Sequence, residues 1–98
     1  MQAMLDADRV TLDLRVRTWK PGDRFYPFGF GGHQKKLQDL FADLKVPRPT
    51  RARIPLIIAP EGIVWVAGYR IDHRFRVTAS TRRLLRLALL ESERKEFV

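Results

Sequence analysis

The stretch IPLIIAPEGIVWVAG, residues 54–68, decides the fold of this 98-residue chain. Two apolar segments, Pro55–Ala59 and Ile63–Ala67, flank Pro60-Glu61-Gly62, whose proline and glycine are typical of a tight turn. The segments are rich in β-branched residues, which predicts two strands joined as a hairpin. Both are far shorter than the ~20 apolar residues of a membrane-spanning helix. The hairpin therefore predicts a β-sheet in a small globular domain.

The sequence on either side of the hairpin predicts further strands and one main helix. Apolar and polar residues alternate over Arg9–Thr18, as in a half-buried strand. Apolar residues with helical spacing predict a helix from about Gln34 to Lys45. The remaining predictions are a turn at Lys20–Asp23, a loop at Phe25–Gly32, a helical turn at Thr50–Arg53 and a strand at Tyr69–Thr78. Leu84–Leu90 fits a helix or a strand, so the fold class is α+β, with antiparallel or mixed strands dominant.

Basic charge is concentrated in the first half of the chain. The protein has 19 Lys and Arg against 11 Asp and Glu, a formal net charge of +8. Residues 15–53 contain ten basic and three acidic residues, a net charge of +7. Nucleic acid is the commonest partner of such a basic band, ahead of anionic membranes and acidic proteins. The band comprises Arg15, Arg17, Lys20, Arg24, Lys35, Lys36, Lys45, Arg48, Arg51 and Arg53.

The residue types of common catalytic and metal sites are scarce. The absence of cysteine excludes disulfides, iron–sulfur clusters and thiolate zinc sites. The two histidines, His33 and His73, cannot alone fill a zinc site. The chain has neither a G-x-S-x-G motif nor a P-loop lysine pattern. We therefore expect no catalytic residues, metal or cofactor in this chain.

Two groups of basic residues have a predicted local structure. Lys35 and Lys36 fall in the first turn of the predicted helix, where exposed amides favour a bound phosphate. The alternative is that both are solvated surface lysines. Pro47 and Pro49 are expected to keep Arg48, Arg51 and Arg53 in an extended cluster. Arginine suits bidentate phosphate contacts, whereas lysine acts as a point charge.

Aromatic residues are interspersed with the basic band. Stacking on unpaired bases is one role for them, but in so small a domain we expect most to fill the core, with Trp19 as the exposed exception. Asp23 is expected to fix its turn through local hydrogen bonds. His73 is expected to be a surface residue on a strand. The aromatic residues in question are Trp19, Phe25, Tyr26, Phe28 and Phe30.

Several short motifs in a fixed order resemble a known family. They are RTWKPGDRF (17–25), PFG (27–29), KKLQDLF (35–41), KVPR (45–48) and GIVWVAG (62–68). Together they resemble the C-terminal domain of tRNA(Ile)-lysidine synthetases over about residues 9–90. The resemblance implies a fold shared with a domain of the phenylalanyl-tRNA synthetase β subunit, and it favours a strand for Leu84–Leu90.

The same resemblance implies a function. Family members are cytoplasmic ligases that convert the wobble cytidine of tRNA(Ile), anticodon CAU, to lysidine with ATP and lysine. Their N-terminal ATP-pyrophosphatase domain, with its S-G-G-x-D-S loop, performs the reaction, and the C-terminal domain binds and discriminates tRNA near the acceptor stem. These 98 residues contain no such loop. The resemblance thus implies a noncatalytic tRNA-binding domain whose partners are tRNA(Ile) and the catalytic domain, which would bind the ATP and lysine.

The predicted domain covers residues 9–91, between a leader at 1–8 and a polar tail at 92–98. A start so close to a strand favours a piece of a longer protein. Two alternatives stay open: a free-standing nucleic-acid-binding protein, and a module for interdomain docking or dimerisation. The candidate RNA-binding residues are Arg17, Lys20, Arg24, Lys35, Lys36, Arg48, Arg51 and Arg53.

Overall fold

The centre of the protein is a four-stranded antiparallel sheet, flanked by two short ribbons and two short helices. A computed structural model describes residues 1–90. The strands are β1 (Gln2–Asp6), β2 (Arg15–Arg17), β3 (Arg24–Phe25), β4 (Lys35–Lys36), β5 (Leu56–Ala59), β6 (Gly62–Val66), β7 (Arg70–Ile71) and β8 (Leu84–Ala88). The helices are α1 (Leu37–Asp43) and α2 (Arg48–Arg51), with 3-10 turns at Ala7–Arg9 and His73–Phe75.

Strand pairing confirms the predicted hairpin. The main sheet has the order β2-β5-β6-β7, and the two ribbons pair β1 with β8 and β3 with β4. Leu56 pairs with Val66 and Ala59 with Gly62, so β5 and β6 are joined by the turn at Pro60 and Glu61. The φ angle of Gly62 is +128°, a conformation that favours glycine. No helix within residues 1–90 is long and apolar enough to cross a bilayer.

Both faces of the main sheet are covered. On one face, Ile57 and Ala59 belong to a cluster with Leu5 of β1, and side chains of β8 pack against that cluster. On the other face, Leu56 and Val66 belong to a cluster with residues of α1 and β3. Because both faces are buried, the hairpin strands are continuous apolar runs rather than alternating ones.

The expected leader at residues 1–8 is part of the fold. Gln2–Asp6 form β1, which pairs antiparallel with β8 over its whole length. Ala3 and Leu5 face the core, and Leu5 is completely buried. Two apolar residues on alternate positions are too weak a pattern to distinguish this strand from a leader. The pairing also confirms a strand within Leu84–Leu90, whereas the predicted tail lies outside the described residues.

The strand predicted over Arg9–Thr18 is wrong for most of its length. Only β2 forms, and Leu12 and Val16 are 68% and 61% exposed. β2 is an edge strand of the sheet, so packing does not enforce the alternation that its sequence shows. The amide and hydroxyl of Thr11 donate to the Glu61 carboxylate, with 2.6 Å for the hydroxyl, so the hairpin turn holds this segment.

The main helix is shorter than predicted. Lys35 and Lys36 pair with β3, so α1 begins at Leu37 and the two lysines precede its first turn. Lys45 has a left-handed φ of +56° beyond the other end of the helix. The buried residues Leu37 and Leu40 confirm the predicted spacing.

Two other segments also depart from the predictions. The helical turn expected at Thr50–Arg53 is α2, two residues earlier, so Arg48 and Arg51 are helical rather than extended. Proline is tolerated in the first turn of a helix, where α2 contains Pro49. The strand expected over Tyr69–Thr78 is confined to β7, because Asp72 accepts the Arg74 amide and caps a 3-10 turn.

Asp23 connects the edge strand, the turn and the main helix. Its carboxylate accepts hydrogen bonds from Nη1 and Nη2 of Arg17, both at 2.9 Å, and from the Lys20 amide at 2.8 Å. Its carbonyl oxygen accepts the amide of Leu37, the first residue of α1, at 2.9 Å. The prediction that Asp23 fixes its turn by local hydrogen bonds is confirmed.

The same contacts shift the pKa values of both side chains. Burial raises the pKa of the Asp23 carboxyl, but the hydrogen bonds from Arg17 and from the Lys20 amide outweigh it and leave the pKa below its ordinary value. The hydrogen bond to Asp23 raises the pKa of Arg17. The pair is therefore charged at neutral pH.

We expect Leu5→Ala to lower the free energy of unfolding by about 2–5 kcal/mol, because it leaves a cavity between β1 and the sheet. The matched variant Leu12→Ala, at a 68% exposed position, should change it by less than about 0.5 kcal/mol. Urea denaturation of both variants measures the difference. Equal effects would contradict the burial of Leu5 between β1 and the main sheet.

We expect Asp23→Asn to destabilise the protein at neutral pH and progressively less in acid. Because the folded pKa is lowered, the carboxylate contributes fully above its ordinary pKa of about 4, and the contribution is lost as the pH falls through the folded value. Urea denaturation of wild type and variant between pH 7 and pH 3 measures the shrinking difference. Asp13→Asn is the control, since Asp13 is exposed and forms no hydrogen bond within residues 1–90. A difference that is constant with pH would refute this role.

Candidate nucleic-acid interface

Two basic residues lie directly opposite each other on the β3–β4 ribbon. Arg24 pairs with Lys36 in the antiparallel register, so their side chains project from the same side. Both are exposed, and within the described residues neither forms a salt bridge. Like charges at opposite positions destabilise a ribbon. The pair therefore favours an anion at this surface.

Lys35 has a different environment from its neighbour. Its Nζ lies 2.7 Å from Oδ2 of Asp43 and 5.4 Å from the centroid of the Phe30 ring. Its pairing partner Phe25 is buried in the core cluster with α1. The charge of Lys35 is thus largely compensated within the protein, unlike that of Lys36.

The residues of α2 and α1 form a cleft beside the turn. Trp19, Gln38, Arg48 and Arg51 line this cleft, whose volume is about 350 Å³. The Trp19 ring packs on Phe41 of α1 with 5.6 Å between centroids and an interplanar angle of 83°. Nε of Arg51 donates to the Val46 carbonyl at 2.9 Å. We call this the Trp19 cleft; it is lined by two cations and no carboxylate.

The structure divides the eight predicted residues into two groups. Arg17 and Lys35 are paired with Asp23 and Asp43. The other six form no salt bridge within residues 1–90 and define the basic surface: Lys20, Arg24, Lys36, Arg48, Arg51 and Arg53. The β3–β4 ribbon adjoins the Trp19 cleft, because Gln38 lies two residues beyond Lys36.

Sequence reasoning missed Gln38. In the sequence, Gln38 is only a polar residue between the apolar Leu37 and Leu40 of the predicted helix. An exposed glutamine on a helix has no distinctive pattern until α2 is placed beside it.

The aromatic residues follow the prediction in part. Phe25 is in the core, but Trp19 is half-buried and Phe28 is the exposed exception, at 46%. Phe28 stacks on the His73 ring, with 6.1 Å between centroids. His73 is partly buried in a 3-10 turn rather than on a strand, and its buried Nδ1 has no hydrogen-bond partner among residues 1–90.

Another buried carboxylate holds the loop that follows β3. Asp72 is completely buried and accepts hydrogen bonds from Nε and Nη2 of Arg74 at 3.0 Å and from the Tyr26 amide at 3.1 Å. The hydrogen bond to Asp72 raises the pKa of Arg74. No group of three or more histidine, aspartate or glutamate residues in the described part of the chain is placed to hold a metal ion. The hydrogen bonds of Asp72 fix the loop at Tyr26 to the 3-10 turn.

Comparison with known proteins identifies relatives of the chain. A family model described as "TilS substrate C-terminal domain" matches residues 14–88. The tRNA(Ile)-lysidine synthases of Symbiobacterium thermophilum and Parabacteroides distasonis are each 48% identical to the chain, over 87% and 85% of its length. The chain spans only 17% and 19% of those two relatives.

A solved structure supports the same assignment. The protein in "Crystal structure of TILS C-terminal domain" is 33% identical, with a TM-score of 0.67 and coverage of 92% of this chain and 72% of that chain. The match confirms the predicted α+β class with few helices, while the similarity to phenylalanyl-tRNA synthetase stays a prediction. The resemblance inferred from the sequence motifs is confirmed: the chain belongs to the TilS substrate C-terminal domain family.

Proposed function

We propose that this chain is the tRNA-binding C-terminal domain of a tRNA(Ile)-lysidine synthase, and that it holds the tRNA near its acceptor stem. In this proposal the whole protein converts the wobble cytidine of tRNA(Ile), anticodon CAU, to lysidine in the cytoplasm. ATP and lysine bind an N-terminal catalytic domain, and the chain described here binds neither. The names of the relatives support the parent activity.

The pairing of Arg24 with Lys36 is the observation that carries the tRNA-binding role. A ribbon of only two residues per strand has few contacts to offset the repulsion between these exposed cations. A phosphate between them replaces the repulsion with two charge-assisted hydrogen bonds. A compensating carboxylate, as Lys35 has in Asp43, would instead indicate a purely structural pair.

The basic surface suits the phosphodiester backbone better than base edges. Phosphate contacts fix the position of a nucleic acid and carry no direct sequence information. The major groove of A-form RNA is too narrow for side chains, so double-stranded RNA is recognised mainly by shape and by contacts to phosphate and 2′-hydroxyl groups. The surface therefore supplies affinity and position along the tRNA.

We expect the double substitution Arg24→Gln with Lys36→Gln to weaken binding of an acceptor-stem RNA duplex at least tenfold, or about 1.4 kcal/mol. Arg82→Gln with Arg86→Gln is the control. It removes the same charge from two exposed arginines outside the basic surface and should weaken binding much less. Fluorescence anisotropy with labelled duplex at fixed salt measures both affinities.

The stability of the two double variants makes this comparison specific. Removing the repulsion between residues 24 and 36 should leave the protein folded and no less stable than wild type in urea denaturation. Equal losses of affinity in both double variants would indicate a general charge effect and contradict the proposed site. Absence of binding at low salt would favour the interdomain or dimerisation role instead.

We expect the affinity for this duplex to fall steeply with salt. If all six cations of the basic surface contact phosphates, the slope of log K against log salt should be about −4 to −5, on the order of 0.7–0.9 per contact. The Arg24→Gln, Lys36→Gln variant should reduce the magnitude of the slope by about 1.4–1.8. Titrations at four or more salt concentrations measure both slopes. A slope near zero would exclude phosphate contacts, and equal affinity for a DNA duplex would indicate a general nucleic-acid binder.

A further inference from the structure

We propose that the Trp19 cleft binds a single unpaired nucleotide, with its base against Trp19 and its phosphate between Arg48 and Arg51. The proposal rests on the RNA-binding function above and adds a second mode of contact to it. The β3–β4 ribbon contacts paired backbone, whereas this cleft, whose Arg48 and Arg51 also belong to the basic surface, takes a nucleotide whose base is free. Gln38 completes the cleft.

Trp19 provides a fixed aromatic surface. Its ring is held against Phe41 in an edge-to-face arrangement, with 5.6 Å between centroids, and Phe41 is completely buried in the core. The indole is half-buried, so part of it remains accessible in the cleft. An aromatic side chain that is already ordered loses little conformational entropy when a base stacks on it. Stacking of one base on such a side chain strengthens binding roughly 5- to 150-fold.

The two arginines differ in how they are held. Arg51 donates its Nε to the Val46 carbonyl, and its guanidinium lies 5.7 Å from the centroid of the Phe41 ring. Nη1 and Nη2 of Arg51 form no hydrogen bond within residues 1–90 and are available to a phosphate. Arg48, one turn earlier on α2, is exposed and forms no salt bridge in the same part of the chain. Together they present the forked donors that match phosphate oxygens.

The chemistry of the cleft selects a nucleotide among anionic ligands. A free phosphate would use the arginines but not the indole, and an aromatic ligand without charge would not use the arginines. The Gln38 amide offers both a donor and an acceptor, which suits the edge of a base. The volume of about 350 Å³ is at the small end of ligand sites, which span about 300–1,000 Å³.

The nucleotide has to be unpaired. Inside a duplex both faces of each base are covered by its neighbours, so a cleft that takes one base together with its phosphate needs a base that has left the helix or never entered it. Ends and bulges of a folded RNA provide such bases. The class of ligand is therefore an RNA with a single-stranded nucleotide next to a duplex that the basic surface can hold.

The test compares the affinities of RNA duplexes that differ only in unpaired nucleotides. The probes are a blunt duplex and duplexes with a four-nucleotide 3′ extension, a four-nucleotide 5′ extension or a one-nucleotide bulge. We expect at least one of the three duplexes with unpaired nucleotides to bind the wild-type protein at least fivefold more tightly than the blunt duplex does. This ratio of affinities is the quantity that the variants should change. Trp19→Leu, which keeps an apolar side chain against Phe41 but cannot stack, should bring this ratio close to one. Arg24→Gln with Lys36→Gln should lower all affinities and preserve the ratio.

A second variant, Arg48→Gln, tests the cleft without disturbing the core. Arg48 is exposed, so its replacement should leave the protein folded. We expect it to lower the ratio at least threefold, and circular dichroism verifies that each variant is folded. The proposal is overturned if no unpaired nucleotide improves binding to wild type, or if the folded Trp19→Leu and Arg48→Gln variants retain the full ratio. Weak binding of the blunt duplex at low salt would contradict the proposed function instead, so the two failures are distinct.

Discussion

The bidentate ion pair between Arg17 and Asp23 is the contact on which the turn, the β3–β4 ribbon and the start of α1 depend. The two residues lie six positions apart, on either side of the turn at Lys20–Asp23, and both guanidinium Nη atoms are 2.9 Å from the carboxylate. The main chain of Asp23 also holds the first amide of α1. One residue thus sets the direction of the edge strand, the turn and the helix. Arg24, next along the chain, enters the β3–β4 ribbon at a position that Asp23 has already fixed.

The protein compensates some of its cations and leaves others free. Arg17 and Lys35 are paired with carboxylates, and Arg74 is paired with the buried Asp72. A buried carboxylate requires such a partner, because desolvation of an unpaired charge is very costly. Arg24, Lys36 and Arg48 gain nothing comparable from the described protein. Apart from Arg51, whose Nε also holds the Val46 carbonyl, the cations that stabilise the fold and the cations left uncompensated are therefore different sets, although they alternate along the sequence.

The sequence predicts the elements whose patterns are enforced by packing on both sides. The hairpin of β5 and β6 is predicted correctly because its apolar runs are buried on two faces. The alternation of apolar and polar residues over Arg9–Thr18 predicts too long a strand, because Leu12 and Val16 are not buried in the core. Lys35 and Lys36 are misplaced because a two-residue ribbon has no periodicity to detect. The composition of the basic band predicts a region, but only the structure shows that Lys36 faces Arg24 and that Lys35 reaches Asp43.

The positions of α1 and α2 place the Trp19 cleft directly after the β3–β4 ribbon. Phe41 contributes to both the core and the cleft, since its ring packs against Trp19 and lies near the Arg51 guanidinium. The hydrophobic cluster that stabilises α1 therefore also orients the residues that line the Trp19 cleft. The β3–β4 ribbon precedes α1 directly, so the free cations Arg24 and Lys36 keep a fixed relation to that cleft. If the ribbon holds a duplex and the Trp19 cleft an unpaired nucleotide, as proposed, discrimination between RNAs would follow from where the duplex ends.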